Sequence, residues 1–224
     1  MSRLRFDAVS HRLRETLMTL MTQPVFEPFR LVGGTNLALR FGHRMSDDID
    51  LFTDAPYDSL WFKDFENFLK KSFPYYHTNP LGSLVGMGRS YYIGDGKEDC
   101  IKLDLMYMME PFVENIEIIE GIRMASLDDI LAMKVDVITR GGRKKDFWDL
   151  HLLHEIYPMQ EMLRLHKRMY EWTHDDKQAI ESFLNFREAN DDPDPRCKLE
   201  KDWDIIRLDF IDWVKNECNG IAGY

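Results

Sequence analysis

Two stretches decide the fold: Leu31-Val-Gly-Gly-Thr-Asn-Leu37 and, shortly after it, Arg44-Met-Ser-Asp-Asp-Ile-Asp-Leu-Phe52. The first reads as a short strand, Phe29–Val32, running into two glycines, with a helix over Thr35–Arg40. The second reads as a strand over Asp48–Phe52. Side chains of a strand alternate between its faces. Asp48 and Asp50 therefore share one face, while Ile49 and Leu51 point to the core and Asp47 faces away from the pair. Two neighbouring carboxylates repel each other unless a cation lies between them. Hard oxygen donors in such a pair suit Mg²⁺, which keeps positions open for phosphate oxygens. The glycines let backbone approach a ligand closely, and the helix start offers N–H groups and positive dipole to phosphate. Thr35 adds a hydroxyl or caps the helix. Taken singly, D-x-D also reads as a solvated strand face and Gly-Gly-Thr as a plain turn.

Working outward, helices are expected over Asp7–Thr22 and Tyr57–Phe73, from apolar residues at helical spacing. Tyr75–Leu105 reads as β, with strands at Ser83–Met87, Tyr91–Ile93 and Ile101–Met106 and a tight turn at Asp95-Gly96. Glu120-Gly121 joins Ile116–Ile119 to Ile122–Met124 as a second hairpin. In Ile101–Met106, alternation puts Lys102, Asp104 and Met106 opposite Ile101, Leu103 and Leu105. On a strand beside Asp48 and Asp50, Asp104 would supply a third carboxylate and complete a two-metal clamp. Alone it reads as an exposed strand residue.

After Ser126 strand signals vanish. Ser126 and Asp129 form a capping box for a helix to about Arg140. Further helices are expected at about Lys145–Tyr157, Met159–Tyr170, Asp175–Arg187 and Lys198–Asn216, with a loop at Asn190–Pro195. An α/β part, 1–125, thus precedes a helical part, 126–224. Lys134 falls on the apolar stripe of the first of these helices, so it snorkels or points into a polar cleft. Arg140, Arg143, Lys144 and Lys145 form a basic run, either a solvated turn or an attraction for triphosphate or polynucleotide. Asp146 and Asp149 share one helix face, and Asp146 also reads as a cap.

The chain has 224 residues and 39 acidic against 29 basic side chains, a net charge of -10. That length supports a sizeable core without disulfides or a structural metal. Cys100, Cys197 and Cys218 are odd in number and unrelated in spacing, so reduced thiols in a cytoplasmic protein are expected. No apolar run approaches the ~20 residues of a membrane span, and the N-terminus lacks the apolar core of a secretory signal. The charge argues against a broad nucleic-acid-coating surface, which needs clustered Lys and Arg. Part of it is local, since Glu188–Tyr224 holds ten acidic and five basic residues.

Gly33-Gly34-Thr35 followed by Arg44-x-Ser46-x-Asp48-Ile49-Asp50-Leu51-Phe52 resembles the nucleotidyltransferases of the DNA polymerase β superfamily. More closely, with Lys134 and then Lys145-Asp146-Phe147-Trp148-Asp149-Leu150, it resembles the AbiEii/AbiGii toxins of toxin–antitoxin and phage-defence systems. The matching motifs span Leu31 to Leu150, and the run Arg140–Lys145 is longer and more basic than that family's spacing. The resemblance implies an α+β fold, a polymerase β-like mixed sheet with helices, followed by a C-terminal helical region closing a nucleotide cleft. It implies transfer of a nucleoside monophosphate from an NTP to a hydroxyl acceptor, a tRNA end or a protein, with a cognate antitoxin as partner. Asp48, Asp50 and Asp104 would hold Mg²⁺ or Mn²⁺, and Asp104 would deprotonate the acceptor. Gly33, Gly34 and Thr35, with Ser46, would contact the phosphates. Lys134 and Arg143 would neutralise triphosphate charge, and Asp146 would orient them or the base. Two other functions stay open: a non-catalytic nucleotide- or partner-binding protein of the same fold, docking through its acidic tail, and a small-molecule (antibiotic) nucleotidyltransferase.

Overall fold

A computed structural model describes residues 3–78 and 87–221. The expected strand at 83–87 falls almost wholly outside them. The chain divides into two compact units, residues 1–42 with 46–125, and residues 43–45 with 126–224.

The first unit is built on a seven-stranded mixed sheet in the order β3-β4-β5-β2-β1-β7-β6. Its strands are β1 (Arg30–Leu31), β2 (Asp48–Thr53), β3 (Tyr75–Thr78), β4 (Gly88–Gly96), β5 (Asp99–Tyr107), β6 (Glu117–Ile119) and β7 (Ile122–Met124). Helices α1 (His11–Met21), α2 (Gly33–Phe41) and α3 (Phe62–Ser72) accompany them. β2 runs parallel to β5 and antiparallel to β1, while β1 is parallel to β7. Alternation holds along β2 and β5: Ile49, Leu51, Leu103 and Leu105 are fully buried, while Asp48, Asp50, Lys102 and Asp104 are part-exposed on the opposite side. Leu13, Leu17 and Leu20 of α1 join the apolar face in one core with Phe26, Phe29 and Phe65. Ser10 caps α1 by accepting the Leu13 N–H, so the helix begins four residues later than expected.

The hairpin β4–β5 is longer than expected, with β4 running Gly88–Gly96 rather than Tyr91–Ile93, and its turn is displaced. Asp95-Gly96 is not its turn. Gly96 pairs with Asp99, leaving Lys97-Glu98 as the two-residue connection, and a bulge lies between Gly94 and Gly96. Gly94 is required there because an added Cβ would stand 2.1 Å from the Asp99 carbonyl oxygen. Strand β3 was not separately expected.

The second unit is helical, with α4 (Leu127–Thr139), α5 (Lys144–Leu153), α6 (Met159–Met169), α7 (Asp176–Phe183), α8 (Arg187–Asp191) and α9 (Trp203–Glu217). Ser126 caps α4 by accepting the Asp129 N–H at 3.0 Å. The helix expected over 175–187 is broken. Phe186 leaves the helical path and packs its ring 5.2 Å from Phe147 and 5.8 Å from Trp203. The last helix starts at Trp203, not Lys198. Asp202 caps it, and the chain before it is irregular, held by an Arg44–Cys197 bridge and a Lys198 N–H bond to the His43 carbonyl.

Candidate active site

The sheet brings three of the expected residues together. In the parallel register of β2 and β5, Asp50 lies opposite Asp104, and Asp48 lies opposite Lys102. Neighbouring strands are about 4.8 Å apart, so three carboxylates and one ammonium leave a small area of one face. Lys102 Nζ donates to Asp104 Oδ2 at 2.5 Å. Burial works against the charge on Lys102, yet Asp104, Asp48 and Asp50 together hold its pKa above the ordinary lysine value. The other oxygen, Asp104 Oδ1, is buried without a hydrogen-bond partner.

Gly33 stands against this face. Its φ is +68°, a region costly for residues with a Cβ. A Cβ there would meet Asp50 Oδ2 at 2.4 Å. The positive φ calls for glycine, and any Cβ would push the Asp50 carboxylate aside, so the start of α2 stands directly against it. The helix begins at Gly33 rather than Thr35, with Val32 in the cap position and no side-chain cap bond. Thr35 does not cap it. Its hydroxyl donates to the Asp48 carbonyl at 2.5 Å and lies 2.8 Å from the Ser46 hydroxyl. Thr35 and Ser46 are both buried. They tie α2 to the entry of β2, so the main chain of Gly33 and Gly34 is the part of this motif suited to phosphate.

The donor set fits a hard divalent cation in kind. It offers carboxylate oxygens on one face, and Asp104 Oδ1 among them has no hydrogen-bond partner. As the side chains stand, no three His, Cys, Asp or Glu groups among the described residues are gathered closely enough to hold a metal. Asp104 is turned to Lys102 instead.

The second expected cluster has a different character. Lys134 does not snorkel. It is 6% exposed, and its Nζ lies 2.6 Å from Asp146 Oδ1 and 2.7 Å from Asp149 Oδ2. Asp149 is fully buried and receives the Arg44 guanidinium in a fork, Nε at 2.7 Å and Nη2 at 2.8 Å, and His43 Nε2 at 2.8 Å. Burial alone would raise the Asp149 pKa; Arg44 and Lys134 overcome it and hold the carboxyl well below its usual range. Asp146 is lowered too, its desolvation outweighed chiefly by Lys134. Lys134 is raised against its own burial by both carboxylates. Asp146 Oδ2 also accepts the Arg143 backbone N–H at 3.1 Å, which is the cap expected of it. Arg143 itself is an exposed side chain. The basic run is partly neutralised: Lys144 Nζ meets Asp194 at 2.8 Å, and Arg140 pairs with Asp136.

The pattern of the AbiEii nucleotidyl transferase toxins, described as a type IV toxin–antitoxin system, matches residues 15–213. The chain belongs to that family. An uncharacterized protein of Aquifex aeolicus (strain VF5), aq_aa25, is 30% identical over 186 residues, covering 80% of this chain and 84% of that protein. Among solved structures, JHP933 from Helicobacter pylori is similar with a TM-score of 0.58 and 21% identity, covering 92% of each chain. MenT4, a nucleotidyltransferase toxin of Mycobacterium tuberculosis H37Rv, has a TM-score of 0.57 and 14% identity, covering 89% of this chain and 80% of that one. These likenesses establish the nucleotidyltransferase fold, α+β with a mixed sheet. No described helix is long and apolar enough to cross a membrane.

Sequence reasoning missed Lys102, Arg44 and His43 as members of these clusters. Lys102 was legible as a face-mate of Asp104, two residues away on one strand. Arg44 stands in the motif, but its pairing and that of His43 with Asp149 are not legible locally, because Asp149 is over a hundred residues distant.

Proposed function

We propose that this nucleotidyltransferase is metal-dependent and moves a nucleoside monophosphate from an NTP to a hydroxyl acceptor, a tRNA end or a protein, as the toxin of a toxin–antitoxin pair in the cytoplasm. The observation that carries the reading is the Asp48, Asp50, Asp104 face of β2 and β5 with Gly33 pressed against Asp50. Mg²⁺ or Mn²⁺ held by those carboxylates would neutralise phosphate charge and lower the acceptor's pKa. The main chain at Gly33 and Gly34 binds the phosphates, using helix-start N–H groups and dipole. Asp104, with an oxygen that no protein group satisfies, takes the acceptor proton as its oxygen attacks the α-phosphorus. Pyrophosphate leaves. Thr35 and Ser46 act by fixing α2 to β2 rather than by touching phosphate. Arg143, exposed although its Nε lies 3.5 Å from Asp146 Oδ2, would offer charge to triphosphate. Lys134 and Asp146 position α4 against α5 and hold the Arg143 main chain.

The test is incubation of the purified chain with labelled NTPs, Mg²⁺ and total RNA or lysate, beside Asp48→Asn. Label should enter RNA or protein with the wild type and not with the variant. No label from any NTP with any fraction would sink the reading. The engagement of Asp104 by Lys102 favours one alternative, a nucleotide-binding protein without turnover. Calorimetry showing tight Mg²⁺-dependent NTP binding together with silent transfer would select it. An antitoxin partner is tested by co-expression, which should relieve any growth arrest the chain causes.

A further inference from the structure

The inference concerns Lys102 and rests on reading Asp48, Asp50 and Asp104 as metal ligands. Three carboxylates on two adjacent strands repel one another, and a folded face that carries them needs a cation nearby. β5 provides one from its own sequence. Lys102 precedes Asp104 by two residues, so both leave the same face, and it stands opposite Asp48 in the register with β2. Its Nζ lies 2.5 Å from Asp104 Oδ2. An ammonium held at that distance repels a divalent cation approaching the same carboxylate, so the two compete for its charge. The lysine is also free to leave. Its side chain is 35% exposed, and its four-carbon stem can swing the charge into water. The buried Lys134 differs on this point, being clamped by two carboxylates at 8% side-chain exposure.

We propose that Lys102 is a built-in counter-ion: it holds the three-carboxylate face together in the metal-free chain and is displaced from Asp104 when the divalent cation binds. Lys102 is then a positioning residue, and it works against metal loading while stabilising the empty site. The two effects have opposite signs on two separate readouts.

The experiment compares the full-length wild type with Lys102→Met and with the double variant Lys102→Met/Asp104→Asn. Each is stripped with EDTA, melted by circular dichroism, and titrated with Mn²⁺ alone by calorimetry. Lys102→Met should bind Mn²⁺ about tenfold more tightly, the effect of removing roughly one nearby positive charge. In EDTA it should melt lower than the wild type by about 2–4 °C, and saturating Mn²⁺ should close that gap. The double variant should recover the melting temperature in EDTA, because the unpaired carboxylate is gone. Mn²⁺ affinity that is unchanged or weaker in Lys102→Met, or an unchanged melting temperature in EDTA, overturns the proposal alone. Absence of Mn²⁺ binding in both wild type and Lys102→Met overturns the metal reading of the site, and the proposal with it.

Discussion

The two charged clusters contain the same kinds of side chain and differ in saturation. In the helical unit, Asp146 and Asp149 face Lys134 and Arg44, every carboxylate oxygen has a donor, and the group is almost fully buried. In the sheet unit, Asp48, Asp50 and Asp104 share one part-exposed face with Lys102, and Asp104 Oδ1 is buried without a donor. A balanced, saturated, dry cluster holds its own elements together. A part-exposed cluster with an unsatisfied oxygen has capacity left for something from outside. Buried ion pairs contribute little net stability against an apolar substitute, but removing one partner leaves an uncompensated charge and is strongly destabilising. That asymmetry gives the comparison its tests.

The largest expected effect falls on chemistry. Asp48→Asn or Asp50→Asn should lower nucleotidyl transfer about 10³-fold, since a metal clamp supplies several kcal/mol of charge stabilisation. Urea unfolding should hardly move. A variant that loses stability in step with activity would make the sheet cluster resemble the helical one.

Next comes Asp149→Ala, which strands the Arg44 guanidinium and leaves Lys134 with Asp146 alone, and should cost about 3–5 kcal/mol in urea unfolding. The same cluster sets an acid dependence. Asp149 and Asp146 have folded pKa values below their ordinary 3.8. Their contribution is therefore present above the unfolded value and lost as pH falls through the folded ones. Stability should drop below about pH 4, and Asp149→Asn should make that drop shallower, as urea midpoints measured from pH 6 to pH 3 would reveal.

Gly33→Ala should be smaller, about 1–2 kcal/mol for the left-handed backbone, with a loss of transfer larger than that stability loss predicts because the new Cβ displaces the Asp50 carboxylate. Smallest is Thr35→Val, which removes the buried hydroxyl bonds to Ser46 and the Asp48 carbonyl. It should cost about 1 kcal/mol in chemical unfolding and leave NTP affinity unchanged when measured by calorimetry. A large rise in NTP dissociation constant would return Thr35 to direct phosphate contact.

Much of the sheet unit was legible because its signals are local. The period-two pattern of Asp48–Phe52 and Ile101–Met106 fixed which residues share a face. Ser126 announced α4. The elements that escaped depend on distant partners. Lys97-Glu98 became the hairpin turn because of the bulge between Gly94 and Gly96. The helix over 175–187 broke because Phe186 finds Phe147 and Trp203. The chain before Trp203 stayed irregular because Arg44 and His43 pair with it.

The sequence by itself determined the family, the mixed α+β class, and which carboxylates share one face of β2 and β5. Periodicity and motif spacing are properties of adjacent residues, and they survive in one dimension. Only the tertiary structure decided what each charge is used for. It bound Lys134 to Asp146 and Asp149, turned the Thr35 hydroxyl inward, and set Lys102 against Asp104. A side chain's charge is written in the sequence, but whether that charge is spent inside the protein or kept for a ligand depends on which partner lies within about 3 Å, and distance in space is fixed only by the fold.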